Sequence, residues 1–297
     1  MSKLKKALER AKAVRGSNGG GVSSVQQQRP IQRGGPTRLP KQLFPNDLSK
    51  KGQREIKVTY SRTRVQAVPK KVLERNRIFS LFKDYRVTDE IENLRTQILA
   101  KLKEVKGNSI LVTSAHPGEG KTFTSINLGV SIAKQLDRTV LIVDTDLRNP
   151  WRTHFDFATD FFGVSPERGL SDYLLGNARI EDLFINPGIE KLTILPAGKP
   201  IPNSSELLGS EKMANLVVDL KQRYGHERVV IFDSPALLAF TDPIVYSHLI
   251  DGVLLVVESE RTTPDDIKRA LKLLKDRPLF GTVLNKNKDN VALPDYV

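Results

Sequence analysis

Across 297 residues the chain carries 47 Lys+Arg against 34 Asp+Glu, a formal net charge of +13, and no cysteine. The missing cysteine excludes a disulfide scaffold, thiolate metal ligands, an iron–sulfur cluster and a cysteine nucleophile. No run approaches the roughly 18 consecutive apolar residues of a spanning helix. The excess charge is local: residues 1–75 hold 19 Lys+Arg and four acids, a net of +15, leaving 28 Lys+Arg and 30 acids beyond. The folded part therefore offers no basic balance toward nucleic acid.

In chain order, residues 1–15 place Leu4, Ala7, Leu8, Ala11 and Val14 at helical spacing among Lys and Arg. This predicts a short basic amphipathic helix, suited to a membrane surface, to a docking partner or simply to solubility. Residues 16–40 are rich in Gly, Ser, Gln and Pro, the composition of a disordered linker. Residues 46–75 stay basic and mixed and give no element. A largely disordered leader is thus expected over 1–80 and a folded domain over 81–297. From Thr88, an expected N-cap, Ile91, Leu94, Ile98 and Leu102 recur at helical spacing. Strands are expected at 109–114, 139–144, 192–197, 228–234, 252–259 and 280–285, with helices at 121–136, 204–224 and 263–275. Continuous Val/Ile/Leu strands alternating with helices predict a doubly wound α/β fold, its mostly parallel sheet covered on both faces. A flexible tail is expected from about residue 286.

The first long strand runs into Ala115-His116-Pro117-Gly118-Glu119-Gly120-Lys121-Thr122 and then a helix. That order makes a phosphate-binding loop. Gly118 and Gly120 turn successive N–H groups toward phosphate oxygens, and the helix adds its positive dipole end. Lys121 should reach the β- and γ-phosphates and the Thr122 hydroxyl should ligate Mg²⁺. The second strand ends at Asp144, followed by Asp146 and Arg148. In an open parallel sheet the strand C-termini line the ligand crevice. One carboxylate there should hold Mg²⁺ while the other accepts a proton from an attacking hydroxyl. Arg148 should stabilise charge on a transferring phosphoryl or cap the next segment. The apolar strand RVVIFD ends in Asp233, a further expected Mg²⁺ anchor. Asn285, at the end of the last strand, reads as a purine-edge contact or a strand-end turn.

Together these motifs resemble the bacterial tyrosine kinases, a P-loop family that regulates export and chain length of surface polysaccharides. SAHPGEGKT matches the family's Walker A, VLIVDTDLR its Walker A′ and VVIFDSP its Walker B. GLSDYLLG, PNSSELLGS and GTVLNK are similar too, and MSKLKKALERAKAV resembles members encoded beside exosortase-type exopolysaccharide systems. The resemblance implies a fold of the MinD/ParA-like superfamily, with ATP and Mg²⁺ as cofactors. It further implies a nucleotide site of Ala115, Pro117, Gly118, Glu119, Gly120, Lys121, Thr122, Phe123 and Asn285. The metal set would be Thr122, Asp144 and Asp233; the catalytic set Lys121, Asp144, Asp146 and Arg148. Also implied are autophosphorylation of C-terminal tyrosines by a neighbouring subunit of a homo-oligomer, a membrane-bound polysaccharide co-polymerase as partner, and a cytoplasmic protein held peripherally at the inner membrane. The chain departs from the family in two places. Tyr296 is its single tail tyrosine, and the charges on the first long helix read Asp89, Glu92 and Arg95, with the middle sign reversed. A MinD/ParA-like ATPase switch, binding a membrane partner without phosphorylating it, is the competing expectation.

Overall fold

Unbroken runs of Val, Ile and Leu form the middle of the sheet because helices cover both of its faces. The computed structural model describes residues 56, 58, 63–82, 86–148, 157–223, 227–275 and 277–288. Its strands are β1 (Arg64–Val65), β2 (Ser109–Ser114), β3 (Thr139–Asp144), β4 (Ile185–Asn186), β5 (Leu192–Leu195), β6 (Arg228–Asp233), β7 (Gly252–Glu258) and β8 (Leu279–Asn285). They join into one eight-stranded sheet in the order β1-β4-β5-β3-β6-β2-β7-β8. Every pairing is parallel except β4 with β5.

All six expected strands form; β2 and β3 have the expected bounds and the other four shift by one or two residues at one end. Strand periodicity divides their side chains between two cores. Ile110, Val112, Val140, Ile142, Ile231 and Val256 pack with α2 (Arg86–Glu104) and α3 (Lys121–Ala133). Leu111, Leu141, Val143, Phe232, Leu255 and Val257 pack on the opposite face with α4 (Leu170–Leu174), α6 (Glu211–Gln222) and α8 (Pro264–Leu274). The sheet is therefore doubly wound, as expected. Among the described residues no helix is long and apolar enough to cross a membrane.

Several expectations shift. The folded domain starts before residue 81: β1 pairs with β4, and Leu73, in α1 (Lys70–Arg75), and Ile78 are 3% and 0% exposed in the α2/α3 core. Leu73 and Ile78 stand among Lys and Arg in a stretch whose basic composition reads as leader, so burial alone reveals them as core. Thr88 is not an N-cap, because α2 already begins at Arg86. Its hydroxyl donates instead to the carbonyls of Phe79 and Phe82, at 3.1 and 2.9 Å. The expected helix 204–224 divides into α5 (Ser204–Leu208) and α6. Ser210 caps α6 by accepting the Met213 N–H, which restarts the helix after Gly209. The 1–15 helix, the 16–40 linker, Tyr296 and residues 289–297 of the expected tail lie outside the described residues.

Candidate active site

The loop after β2 turns through two left-handed glycines, Gly118 at φ 85° and Gly120 at φ 96°. A side chain is strained there, which is why glycine stands at both. α3 begins immediately afterwards at Lys121, so its unsatisfied N–H groups face the loop. Ala115 is fully buried, and its carbonyl accepts the Leu238 N–H at 3.1 Å.

The loop is braced from the side by the β7–α8 connection. Glu119 is 0% exposed. Its Oε2 accepts the His116 N–H at 2.9 Å, and its Oε1 accepts the Thr262 hydroxyl. The His116 ring lies 3.3 Å from Asp266 Oδ1. The Thr263 hydroxyl and N–H, with His116, hold the Asp266 carboxyl below its ordinary range against some desolvation. Thr263 and Asp266 also form the capping box of α8. Beside that connection, at the end of β8, Asn285 donates Nδ2–H to the Glu119 carbonyl at 2.8 Å. The Glu119 and Asn285 side chains thus shape the loop. The Phe123 ring packs edge-on against Phe79, centroids 6.1 Å apart.

Asp144 and Asp233 end adjacent parallel strands in direct register, and β6 lies between β3 and the phosphate-loop strand β2. The two carboxylates are 1% and 2% exposed. Burial pushes the Asp233 carboxyl up to about 7, and the Asp144 charge adds to this. The Lys121 ammonium and the hydroxyls of Thr122 and Ser125 pull in the other direction. Ser125 Oγ donates to Asp233 at 2.9 Å. Asp144 accepts the Asp146 N–H at 3.1 Å, so Asp146 sits at the half-buried mouth of the site. Lys121, Thr122, Asp144, Asp146 and Asp233 are thereby brought together.

Arg148 turns elsewhere. Its Nε donates to Asp242 at 2.8 Å and to Ser204 at 2.7 Å, and it also reaches Ser205. Asp242, 0% exposed, accepts both serine hydroxyls as well, at 2.6 and 2.5 Å. Sequence reasoning missed Asp242, which reads as an ordinary start to α7 (Asp242–Tyr246). It missed Thr262 and Asp266 because each sits far along the chain from the loop it supports, and Ser125 because a serine one turn into the helix carries no signal of its Asp233 contact. Of the described tyrosines, Tyr246 is fully buried and its hydroxyl pairs with Thr145 at 2.6 Å. Tyr173 lies under Lys212, 4.8 Å from its ring.

No family model matches the chain. Among curated proteins it is 33% identical over 204 residues to the tyrosine-protein kinase YwqD of Bacillus subtilis, covering 68% of this chain and 81% of that protein. It is 30% identical over 209 residues to the tyrosine-protein kinase CpsD of Streptococcus agalactiae, covering 69% and 85%. The match to the tyrosine-protein kinase etk of Escherichia coli is 31% over 199 residues but spans only 26% of that longer protein. Among solved structures, the kinase domain of the Escherichia coli tyrosine kinase ETK superposes with a TM-score of 0.60 at 29% identity, covering 68% of this chain and 76% of that one. The chimerical protein CapA2B2 gives 0.64 at 27% identity, covering 76% and 93%. With the phosphate loop and the Asp144–Asp233 pair set in the same kind of sheet, the chain belongs to the bacterial tyrosine-protein kinase family.

Proposed function

We propose that this chain is an ATP-dependent protein-tyrosine kinase that phosphorylates its own tail in the service of exopolysaccharide synthesis. The observation that carries the reading is the in-register pair of buried carboxylates, Asp144 and Asp233, beside the Lys121–Thr122 end of the phosphate loop. Two adjacent buried carboxylates repel, and a divalent cation relieves that repulsion. With the Thr122 hydroxyl they form a hard-oxygen donor set, which suits Mg²⁺ carrying water and phosphate oxygens as its remaining ligands. Such an ion would neutralise charge developing on the phosphoryl oxygens.

The chain's own groups do the rest. The N–H groups from Gly118 to Thr122 hold the polyphosphate, and Lys121 supplies a charge-assisted contact to its β- and γ-oxygens. A tyrosine hydroxyl stays protonated at neutral pH and needs a positioned base. Asp146, at the mouth of the site, takes that proton as the phenol oxygen bonds to the γ-phosphorus. The bond to the β–γ bridging oxygen breaks and ADP leaves. Arg148, held by Asp242, fixes the loop that carries Asp146. Tyr296 is the proposed acceptor, reached by a neighbouring subunit of a homo-oligomer. The proposed partner is a membrane-bound polysaccharide co-polymerase that keeps the protein at the cytoplasmic side of the inner membrane, as the family resemblance implies.

Mass spectrometry after incubation with Mg-ATP tests this. Phosphate is expected on Tyr296 of the wild type and absent from Lys121→Met. A Lys121→Met chain mixed with a Tyr296→Phe chain should become labelled if transfer runs between subunits. ATP turnover with Tyr296 unmodified, with or without the partner, replaces the kinase reading with that of an ATPase switch.

A further inference from the structure

The end of the sheet opposite the phosphate loop carries a surface that phosphoryl transfer does not use. β2, β3 and β6 run parallel, so their N-termini gather there, about 20 Å from the loop for six-residue strands. A pocket of about 220 Å³ opens at that end, lined by Leu99, Leu102 and Val229 and by Lys103, Lys106 and Arg138, with no carboxylate in its wall. Leu102 and Val229 are buried while Lys103 and Lys106 are exposed, so an apolar wall lies beneath a cationic rim. Of the carboxylates nearby, Glu104 pairs with Lys101 at 3.0 Å, and Asp251, which accepts the Asn108 N–H of the pocket wall, pairs with Lys221 at 2.7 Å. Asp137 lies 3.7 Å from Arg138, so that rim cation is shared between Asp137 and the pocket. Beside the rim, Val105 and Leu136 are 43% and 47% exposed.

Ile56 lies at the same end of the domain. The Ile56 N–H donates to the Leu136 carbonyl at 2.9 Å, and residues 1–55 before it hold 13 Lys+Arg against three acids. Cations around an apolar wall, exposed aliphatic side chains and a strongly basic sequence ahead of Ile56 all fit one occupant. We infer that this end of the domain docks on an anionic lipid bilayer, with a headgroup phosphate at Lys103, Lys106 and Arg138 and with Val105 and Leu136 entering the interface. The phosphate loop then faces away from the lipid and stays open to nucleotide and acceptor. This orientation does not depend on the kinase reading.

The test is co-sedimentation of the full chain with phosphatidylcholine vesicles, with and without phosphatidylglycerol. Each cation near an anionic surface is worth about fivefold in partition, so K103Q/K106Q/R138Q should bind the anionic vesicles about a hundredfold more weakly. K103R/K106R/R138K should bind like the wild type, and added salt should weaken all binding. Melting temperature checks the fold of each variant. If the triple variant unfolds, Lys106→Gln alone should still lose about fivefold. Unchanged partition in the neutralised variants overturns the inference, because the leader would then bind unaided. So does a wild type that ignores anionic vesicles, as a surface for an acidic protein would. Equal loss in the charge-keeping variant makes packing the cause, and displacement by inorganic phosphate makes the pocket a small-anion site; either result overturns it.

Discussion

Gly120 and Asn285 are 165 residues apart in sequence, yet the structure couples them so closely that one substitution should change the cost of the other. Gly120 has φ 96°, and a Cβ built on it would lie 1.9 Å from Asn285 Nδ2 and 3.2 Å from its Cγ. Gly120→Ala therefore places an L side chain in left-handed backbone, at about 1–2 kcal/mol. It also drives the Asn285 amide off the Glu119 carbonyl, which removes a hydrogen bond worth about 1 kcal/mol. The single variant should lose about 2–3 kcal/mol and Asn285→Ala about 1 kcal/mol. In the Asn285→Ala background the clash is gone and only the backbone cost remains. The double variant should then fall short of the summed costs by about 1 kcal/mol. Urea unfolding of the four proteins measures this, provided the slopes with denaturant agree. Strict additivity, or a neutral Gly120→Ala, would refute the claim that Asn285 shapes the phosphate loop.

Ile78 is fully buried with Leu73 against α2 and α3, so Ile78→Ala should destabilise the domain by about 2–5 kcal/mol in the same unfolding assay; a neutral result would return it to the leader. Burial raises the Asp251 carboxyl, but Lys221, the Ser109 hydroxyl and the Asn108 N–H outweigh it and hold it below its ordinary range. A depressed carboxyl stabilises above its unfolded pKa and loses that contribution as pH falls through the folded value. Asp251→Asn should therefore cost about 1.5–3 kcal/mol at neutral pH and flatten the acid limb of the stability profile; an unchanged acid limb would contradict this. Asp233 has the opposite sign: pushed up to about 7, it resists ionisation in the fold while ionising freely in the unfolded chain. Wild-type stability without metal should fall as pH rises from about 4 to about 7. Asp233→Asn should be more stable at neutral pH, on the order of 2 kcal/mol after its lost hydroxyl contacts. Calorimetric melts should show Mg-ADP stabilising the wild type and not this variant; equal stabilisation would remove Asp233 from the metal site.

The fold class, the six main strands and the phosphate loop were legible in the sequence because their determinants are local. A strand buried on both faces is apolar at most positions, and a loop that turns its N–H groups inward needs glycine where φ is positive. Asp144 and Asp233 were legible because each directly ends such a strand, and a parallel sheet brings strand ends to one edge. Contacts between distant segments were not legible. Thr88 has the chemistry of an N-cap, but the Phe79 and Phe82 carbonyls claim its hydroxyl inside the helix. Arg148 follows the acidic motif as a phosphoryl-binding residue would, yet a buried carboxylate 94 positions later, at the start of α7, draws its guanidinium away. Ile78 and Leu73 looked like leader because the stretch around them is basic in composition, and only the core they fill marks them as part of the domain. Local sequence sets backbone conformation and periodicity, whereas the partner of a polar or isolated apolar group depends on which segments the sheet brings alongside it.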